Sequence, residues 1–284
     1  MENFILSGFS DEIDASIDVQ FDHLQKLGIH YFEPRGIDGK NISDLTFAET
    51  KELKQKMDNS GIKASSIGSP IGKIKITDAF EPHLEKVKRV LEVANMLETN
   101  YIRIFSFYLP QEEKAENYRD AVMERMFKMS ELAQEAGIIL LHENEKGIYG
   151  DIADRCLDLL KTVESPSLRA VFDPANFIQC GQKVYPEAFD LLLPYIAYIH
   201  IKDATTDGQV VPAGMGIGKI EDLLLALKKV NYHGFLSLEP HLGNFVGFSA
   251  LENGEDSKKE TSTPEKFTIA YQSLMKILER VNQE

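Results

Sequence analysis

Eight short apolar runs punctuate the chain, at 3–9, 30–35, 62–70, 101–107, 138–144, 168–174, 196–203 and 235–240. A strand with one face in water alternates apolar and polar residues, whereas a strand covered on both faces reads as an unbroken apolar run until it emerges. The stretch 137-GIILLHENEKG-147 has the second form, running from Ile138 to Leu141 before meeting His142, Glu143 and Asn144. Between the runs lie amphipathic segments such as 46–61, 83–97 and 118–137, whose apolar residues recur at the three- and four-residue steps of a helix. Gly28, Gly61, Gly137 and Gly234 stand where a helix has to stop, because Gly enters the left-handed cap at no steric cost. Strict alternation of strand and helix implies parallel strands joined by right-handed crossovers. Eight such units predict an α/β protein, a single (β/α)8 barrel over residues 1–284, with an open doubly wound sheet as the alternative. The segment 241–264, between strand eight and the last helix, is long for such a loop. It reads equally as a solvated insertion or as a lid over the barrel mouth.

Charge narrows the partners. With 31 basic and 45 acidic residues the formal net charge is −14, which repels nucleic acid and anionic membrane surfaces. No signal-peptide pattern opens the chain and no apolar run approaches the ~20 residues of a membrane span, so the expected location is cytoplasmic. Cys156 and Cys180 are too few and too far apart for a disulfide framework or a thiolate cage, and read as small apolar residues.

In such a barrel the loops after the strands gather the active site at one rim. Strand five ends in Glu143, strand six in Asp173, strand seven in His200 and strand eight in Glu239. Taken singly, a Glu at a strand end is an ion-pair partner, and Asp173 before Pro174 starts a helix. Together, three carboxylates at one rim repel and raise one another's pKa unless a cation offsets them. One imidazole with three carboxylates suits one divalent metal ion, Mn, Mg, Co or Zn, and the lack of thiolates argues against a closed structural zinc. His142 has the opposite parity from Glu143 and should face the barrel wall. Lys202 shares the parity of His200, Arg35 follows strand two, Arg103 lies in strand four and Lys73 follows strand three. Each is a substrate-binding candidate, with an ion pair to Glu33 or Asp203 as the competing role. His241, just past Glu239, is a further pocket candidate. The stretch 214-GMGIGK-219 looks like a glycine-rich phosphate loop, although a polar loop precedes it where a strand should.

These residues, with 7-SGFSDEI-13, 171-VFDPANF-177, 198-YIHIKDA-204, 213-AGMGIG-218 and 234-GFLSLEP-240, make the chain similar over essentially its whole length to the xylose isomerase-like barrel superfamily. The resemblance implies that Glu143, Asp173, His200 and Glu239 hold one divalent metal. As in ketose 3-epimerases, it implies Glu143 and Glu239 as the catalytic acid and base on opposite faces of the substrate. The implied activity is a metal-dependent isomerase or epimerase acting on a sugar, sugar phosphate or related polyol. Inosose- and dehydroshikimate-type dehydratases share the scaffold and form the alternative, as does a non-catalytic sugar-binding barrel. Ketose epimerases usually carry a His shortly after the Asp; here that place is held by Asn176, a substrate-binding candidate. The DNA-repair endonuclease branch uses a richer set of His ligands than this chain has. Homo-oligomerisation is left open.

Overall fold

All eight apolar runs form strand in the computed structural model, which describes residues 4–244 and 261–283. They are β1 (Ile5–Gly8), β2 (Tyr31–Phe32), β3 in two pieces (Lys63–Ala64 and Ile67–Gly68), β4 (Tyr101–Ile104), β5 (Ile139–Glu143), β6 (Leu168–Phe172), β7 (Ile196–Ile201) and β8 (Phe235–Leu238). Every ladder between them is parallel. The second piece of β3 pairs with β4, its first piece pairs with β2, and β8 pairs with β1. The seam between β1 and β2 is held by the Glu33 amide, which donates to the Gly8 carbonyl at 2.9 Å. The eight strands therefore close a ring. β2 stops early because Pro34 has no amide to give to a ladder.

The helices stand outside this ring, with α1 at Ile17–Lys26, α2 at Phe47–Ser60, α3 at Glu81–Met96, α4 at Arg119–Glu135 and α5 at Ala153–Val163. The later connections carry α6 (Pro174–Gln179), α7 (Phe189–Leu192), α8 (Ile220–Lys229) and α9 (Pro264–Val281). Their apolar faces pack on the outer faces of the strands in one continuous core. Local chemistry sets the ends: Thr46 and Glu49 form a reciprocal cap on α2, and Gly61 closes it at φ +69°. Gly234 departs from expectation. Asn231, at φ +55°, takes the left-handed turn after α8, which Asn tolerates. Gly234 is instead required by close approach, since a Cβ there would lie 2.3 Å from the Tyr232 hydroxyl.

Inside the ring the side chains form layers. Leu141, Val171 and Tyr198 pack together as a buried floor. Ser65 joins this floor to β1, donating to or accepting from Ser7 Oγ at 2.6 Å and the Tyr198 hydroxyl at 2.8 Å. Side chains alternate along a strand, so the residues two places further on point into the same interior, one layer higher. Those residues are Glu143, Asp173 and His200, and the same step from Ser237 leads to Glu239. A dry floor with a polar layer directly above it answers why an oily strand runs straight into carboxylates.

No helix among the described residues is long and apolar enough to cross a membrane. Of the segment 241–264, residues 245–260 lie outside the described residues, so the lid reading is not addressed. Its two ends meet where the Ser262 amide donates to the Asn244 carbonyl at 2.6 Å. Cys156 and Cys180 are both free thiols; Cys156 is buried, as expected of a small apolar residue, whereas Cys180 is only partly so.

A pH-dependent stability follows from the histidines of the outer core. The Gly72 amide donates to His83 Nε2 at 2.8 Å, which requires a neutral ring, and burial lowers this imidazole to about 4. His142, also lowered to about 4 by burial, bonds through Nε2 to Ser106 Oγ at 2.9 Å. Below about pH 6.5 the unfolded imidazoles take up protons that the folded ones refuse until about pH 4. The unfolded state then binds more protons, so stability is lost as pH falls through that window. Urea titrations from pH 7 to 4 should show the wild type losing on the order of 1 kcal/mol or more relative to His83→Gln, a comparison that separates this imidazole from the buried acids that titrate with the opposite sign in the same window. His83→Gln should flatten the slope, and an unchanged slope would assign the loss to other groups.

Candidate active site

Glu143 closes β5, Asp173 directly follows β6, His200 lies in β7 and Glu239 directly follows β8. One donor atom from each lies within 4.8 Å of all the others, and all four residues are buried. From His200 Nδ1 it is 3.3 Å to Glu143 Oε1, 3.3 Å to Glu239 Oε2 and 4.0 Å to Asp173 Oδ2. Metal bonds of about 2.1 Å place tetrahedral ligand atoms roughly 3.4 Å apart, so this spacing suits a single ion.

The hydrogen bonds around the four residues indicate which atoms such an ion would use. Asp173 Oδ1 accepts the Asn176 amide at 2.9 Å and caps α6, leaving Oδ2 toward the cluster. Glu239 Oε1 accepts from Arg35 Nη1 at 3.2 Å and lies 3.1 Å from His241 Nε2, leaving Oε2. Glu143 Oε2 accepts from Arg103 Nη1 at 2.9 Å, leaving Oε1 beside Asn176 Nδ2. His200 Nε2 lies 3.3 Å from Glu33 Oε2, an arrangement that turns Nδ1 into the cluster. Glu33 is itself held by the Ser237 hydroxyl at 2.8 Å.

The charge balance also fits a cation. Six buried carboxyl groups surround the polar layer, Asp11, Glu12, Glu33, Glu143, Asp173 and Glu239, against three buried permanent cations, Arg35, Arg103 and Lys202. In the metal-free protein one of this excess of three is offset by a proton on His200, whose burial is outweighed by Glu143 and Glu33, and a divalent ion would offset two. The strain is visible in the acids. Burial raises Asp173 to about 7, against the pull of Lys202 and with a further push from Glu239 and Glu143. Burial likewise raises Glu12 to about 8, with Arg35 opposing. For Glu143 the burial effect is outweighed by His200 and Arg103, which hold it at about 2. For Glu239 it is outweighed by Lys202 and His241, which hold it well below the usual carboxylate range.

The cations are placed with care. Arg35 forks onto both oxygens of Asp11 at 2.8 and 3.0 Å, and its Nη2 reaches Glu12 at 3.1 Å. Phe9 packs against both arginines, with Arg35 and Arg103 at 4.3 and 5.2 Å from its ring centre. Lys73 sits 4.4 Å from the Phe105 ring and 3.4 Å from Glu145. Lys202 Nζ lies 2.8 Å from Asp173 Oδ2 and 3.1 Å from Glu239 Oε2.

Residues 21–262 match the model of the xylose isomerase-like TIM barrel family. The chain belongs to this family. It is similar to the 3-dehydroshikimate dehydratase of Bacillus anthracis, 21% identical over 201 residues that make up 71% of this chain and 68% of the relative. The structure of an L-ribulose 3-epimerase covers all of this chain and 96% of its own at 16% identity and a TM-score of 0.75. That of a xylose isomerase-like TIM barrel protein from Mycobacterium smegmatis, in complex with magnesium, matches 98% of each chain at 16% identity and a TM-score of 0.68. At such identities the likeness to the solved structures shows the fold.

Within this xylose isomerase-like barrel, all the candidate residues converge on one end, yet several have partners the sequence did not suggest. Neither Arg35 nor Lys202 is shown paired with the acid expected of it: Arg35 bonds Asp11, Glu12 and Glu239 in place of Glu33, and Lys202 bonds Asp173 and Glu239 in place of Asp203. Asp203 instead accepts the amides of Ala204, Gly214, Gly216 and Gly218 at 2.8 to 3.0 Å. The glycine-rich stretch 214–219 is thus wrapped around an internal carboxylate, which fills the anion nest a phosphate would need. Its glycines serve that approach, since a Cβ at Gly216 would fall 2.4 Å from Asp203 Oδ1. Asn176 spends its side-chain amide on Glu143 Oε1 and the Asn144 carbonyl, at 3.1 and 2.9 Å. Glu12 and Glu33 were missed as site residues. Glu33 directly follows the apolar pair of β2, so the strand-end rule that found Glu143 could have found it, whereas Glu12 lies in the helical turn Ser10–Glu12 beyond the end of β1, where that rule does not reach. Glu12 also receives the His241 amide at 2.6 Å and, through its carbonyl, the Ser262 hydroxyl at 2.5 Å, and so fastens both ends of the 241–264 segment.

Proposed function

We propose that this protein is a divalent-metal-dependent isomerase or epimerase acting on a sugar, sugar phosphate or related polyol, in which one of Glu143 and Glu239 removes a proton from a substrate carbon and the other delivers a proton to the opposite face or to a neighbouring carbon. The observation that carries the reading is the set of four inward donor atoms, each with its other end already fastened to the protein. Glu143 Oε1 and Glu239 Oε2 reach this set from β5 and β8, so a substrate above it would have one carboxylate on either side. Both glutamates are held ionised at neutral pH, so either can act as the base, and the one that acts as the acid has to take up a proton before it delivers one. A bound divalent ion would polarise a substrate carbonyl and so acidify the neighbouring C–H. Arg103 and Arg35 keep the two carboxylates oriented, and Asn176 fixes the one oxygen of Glu143 that remains. We place Lys202, Arg103, Arg35, Asn176, Lys73 and His241 around the substrate, with Phe9 and Phe105 as its apolar wall.

Dehydration is the second reading, favoured by the similarity to the dehydratase relative. It begins with the same proton abstraction beside a carbonyl and differs in what leaves next, so only the product separates the two. The test is to incubate the purified protein, with Mn²⁺ supplied, with a panel of ketoses, ketose phosphates, inososes and 3-dehydroshikimate. Formation of an epimer or isomer supports the proposal, an unsaturated product without epimer selects dehydration, and no turnover of any member leaves the sugar-binding barrel as the better account.

A further inference from the structure

Among the described residues, Lys202 is the one of the three buried permanent cations that touches oxygens the four-residue set turns inward. Arg35 and Arg103 bond the outward oxygens of Glu239 and Glu143. Lys202 Nζ instead lies 2.8 Å from Asp173 Oδ2 and 3.1 Å from Glu239 Oε2, the oxygens left over once the cap on α6 and the Arg35 bond are made. Its side chain is 3% exposed, so the ammonium is as dry as the carboxylates it joins. A divalent ion bonded to those oxygens would share them with a second cation a few ångströms away, where little water screens the repulsion.

We propose that Lys202 is a built-in counter-cation for this site: its ammonium holds Asp173 and Glu239 together in the metal-free protein and leaves them when a divalent ion enters. The inference rests on the metal site of the proposed function and adds a direction to it. A residue that merely supports the ligands would strengthen metal binding; a competing cation weakens it. Lys202 therefore keeps the carboxylates assembled at the cost of metal affinity, and once displaced its ammonium is free to turn toward a substrate.

Zn²⁺ affinity measured at one pH, by competition with a chromophoric chelator, tests this in the wild type, Lys202→Met, Lys202→Gln and Asp173→Ala. The expected result is binding on the order of tenfold tighter or more in both Lys202 variants. Without metal both should melt below the wild type, because two buried carboxylates lose their partner, and saturating Zn²⁺ should close that gap. If Lys202→Met does not fold without metal, it is purified with Zn²⁺ and the chelator concentration that strips it is compared with that for the wild type. Crystals of the wild type with and without Zn²⁺ give an independent reading: Nζ should move out of bonding distance of Asp173 Oδ2. Unchanged or weaker Zn²⁺ binding in the Lys202 variants, or an Nζ still 2.8 Å from Asp173 beside a bound ion, overturns the proposal. Loss of Zn²⁺ in Asp173→Ala alongside that result leaves the metal site standing and removes only the role of Lys202. Wild-type and Lys202→Met proteins that both bind no metal reject the two together.

Discussion

Glu239→Gln should lower kcat by roughly 10²-fold or more, the scale of general acid–base assistance, in protein that still carries its metal. Glutamine keeps a carbonyl oxygen in place of one carboxylate oxygen but can neither take up nor release a proton at neutral pH. Its amide nitrogen must also face a donor, either Arg35 and His241 on one side or Lys202 on the other. Metal content and melting temperature therefore have to be measured alongside the rate. Glu143→Gln should behave alike, its amide nitrogen also facing a donor, either Arg103 Nη1 on one side or Asn176 Nδ2 on the other. Turnover in D₂O completes the experiment, because a proton held by a carboxylate exchanges with solvent and deuterium should appear on the reacting carbon. Deuterium-free product together with full activity in metal-loaded Glu239→Gln would reject carboxylate proton transfer and point to a hydride shift.

Treatment with EDTA should abolish turnover without unfolding the protein, and one equivalent of Mn²⁺ or Zn²⁺ per chain should restore it. Persistence of the fold is expected because each ligand side chain is also fastened by protein groups, Asp173 by the Asn176 amide, Glu239 by Arg35 and Glu143 by Arg103. The informative variant is Asp173→Asn. Asn caps a helix as well as Asp does, so α6 should keep its start, while the ligand set loses a charge. Metal affinity should then fall about tenfold or more, with much the same unfolding midpoint in the metal-loaded protein. Undiminished activity after complete chelation, or an ion that binds Asp173→Asn as tightly as the wild type, would mean that these four residues are not the ligands.

How much of this was legible in the chain differs from residue to residue. Continuous apolar runs can exist only where both faces of a strand are covered, so the runs revealed eight buried parallel strands and, with the helical segments between them, a closed barrel. The period of two along a strand then placed Glu143 above Leu141, Asp173 above Val171 and His200 above Tyr198, which is why the candidate ligands could be named from their positions alone. Pairing among the charges could not be read in this way. Arg35 and Glu239 are 204 residues apart, and Glu12 and His241 are 229 apart. Which charge meets which depends on how closing the ring juxtaposes the ends of β1, β2 and β8, and no local pattern encodes that distance. The glycines of 214–218 carried the signal of an anion nest; only the folded chain showed that the anion is Asp203. For Lys202 the sequence determined that it points inward, by parity with His200. That it lies on the very oxygens a metal would use was decided by tertiary structure, because burial obliges each carboxylate to find a cation and leaves the nearest one to answer.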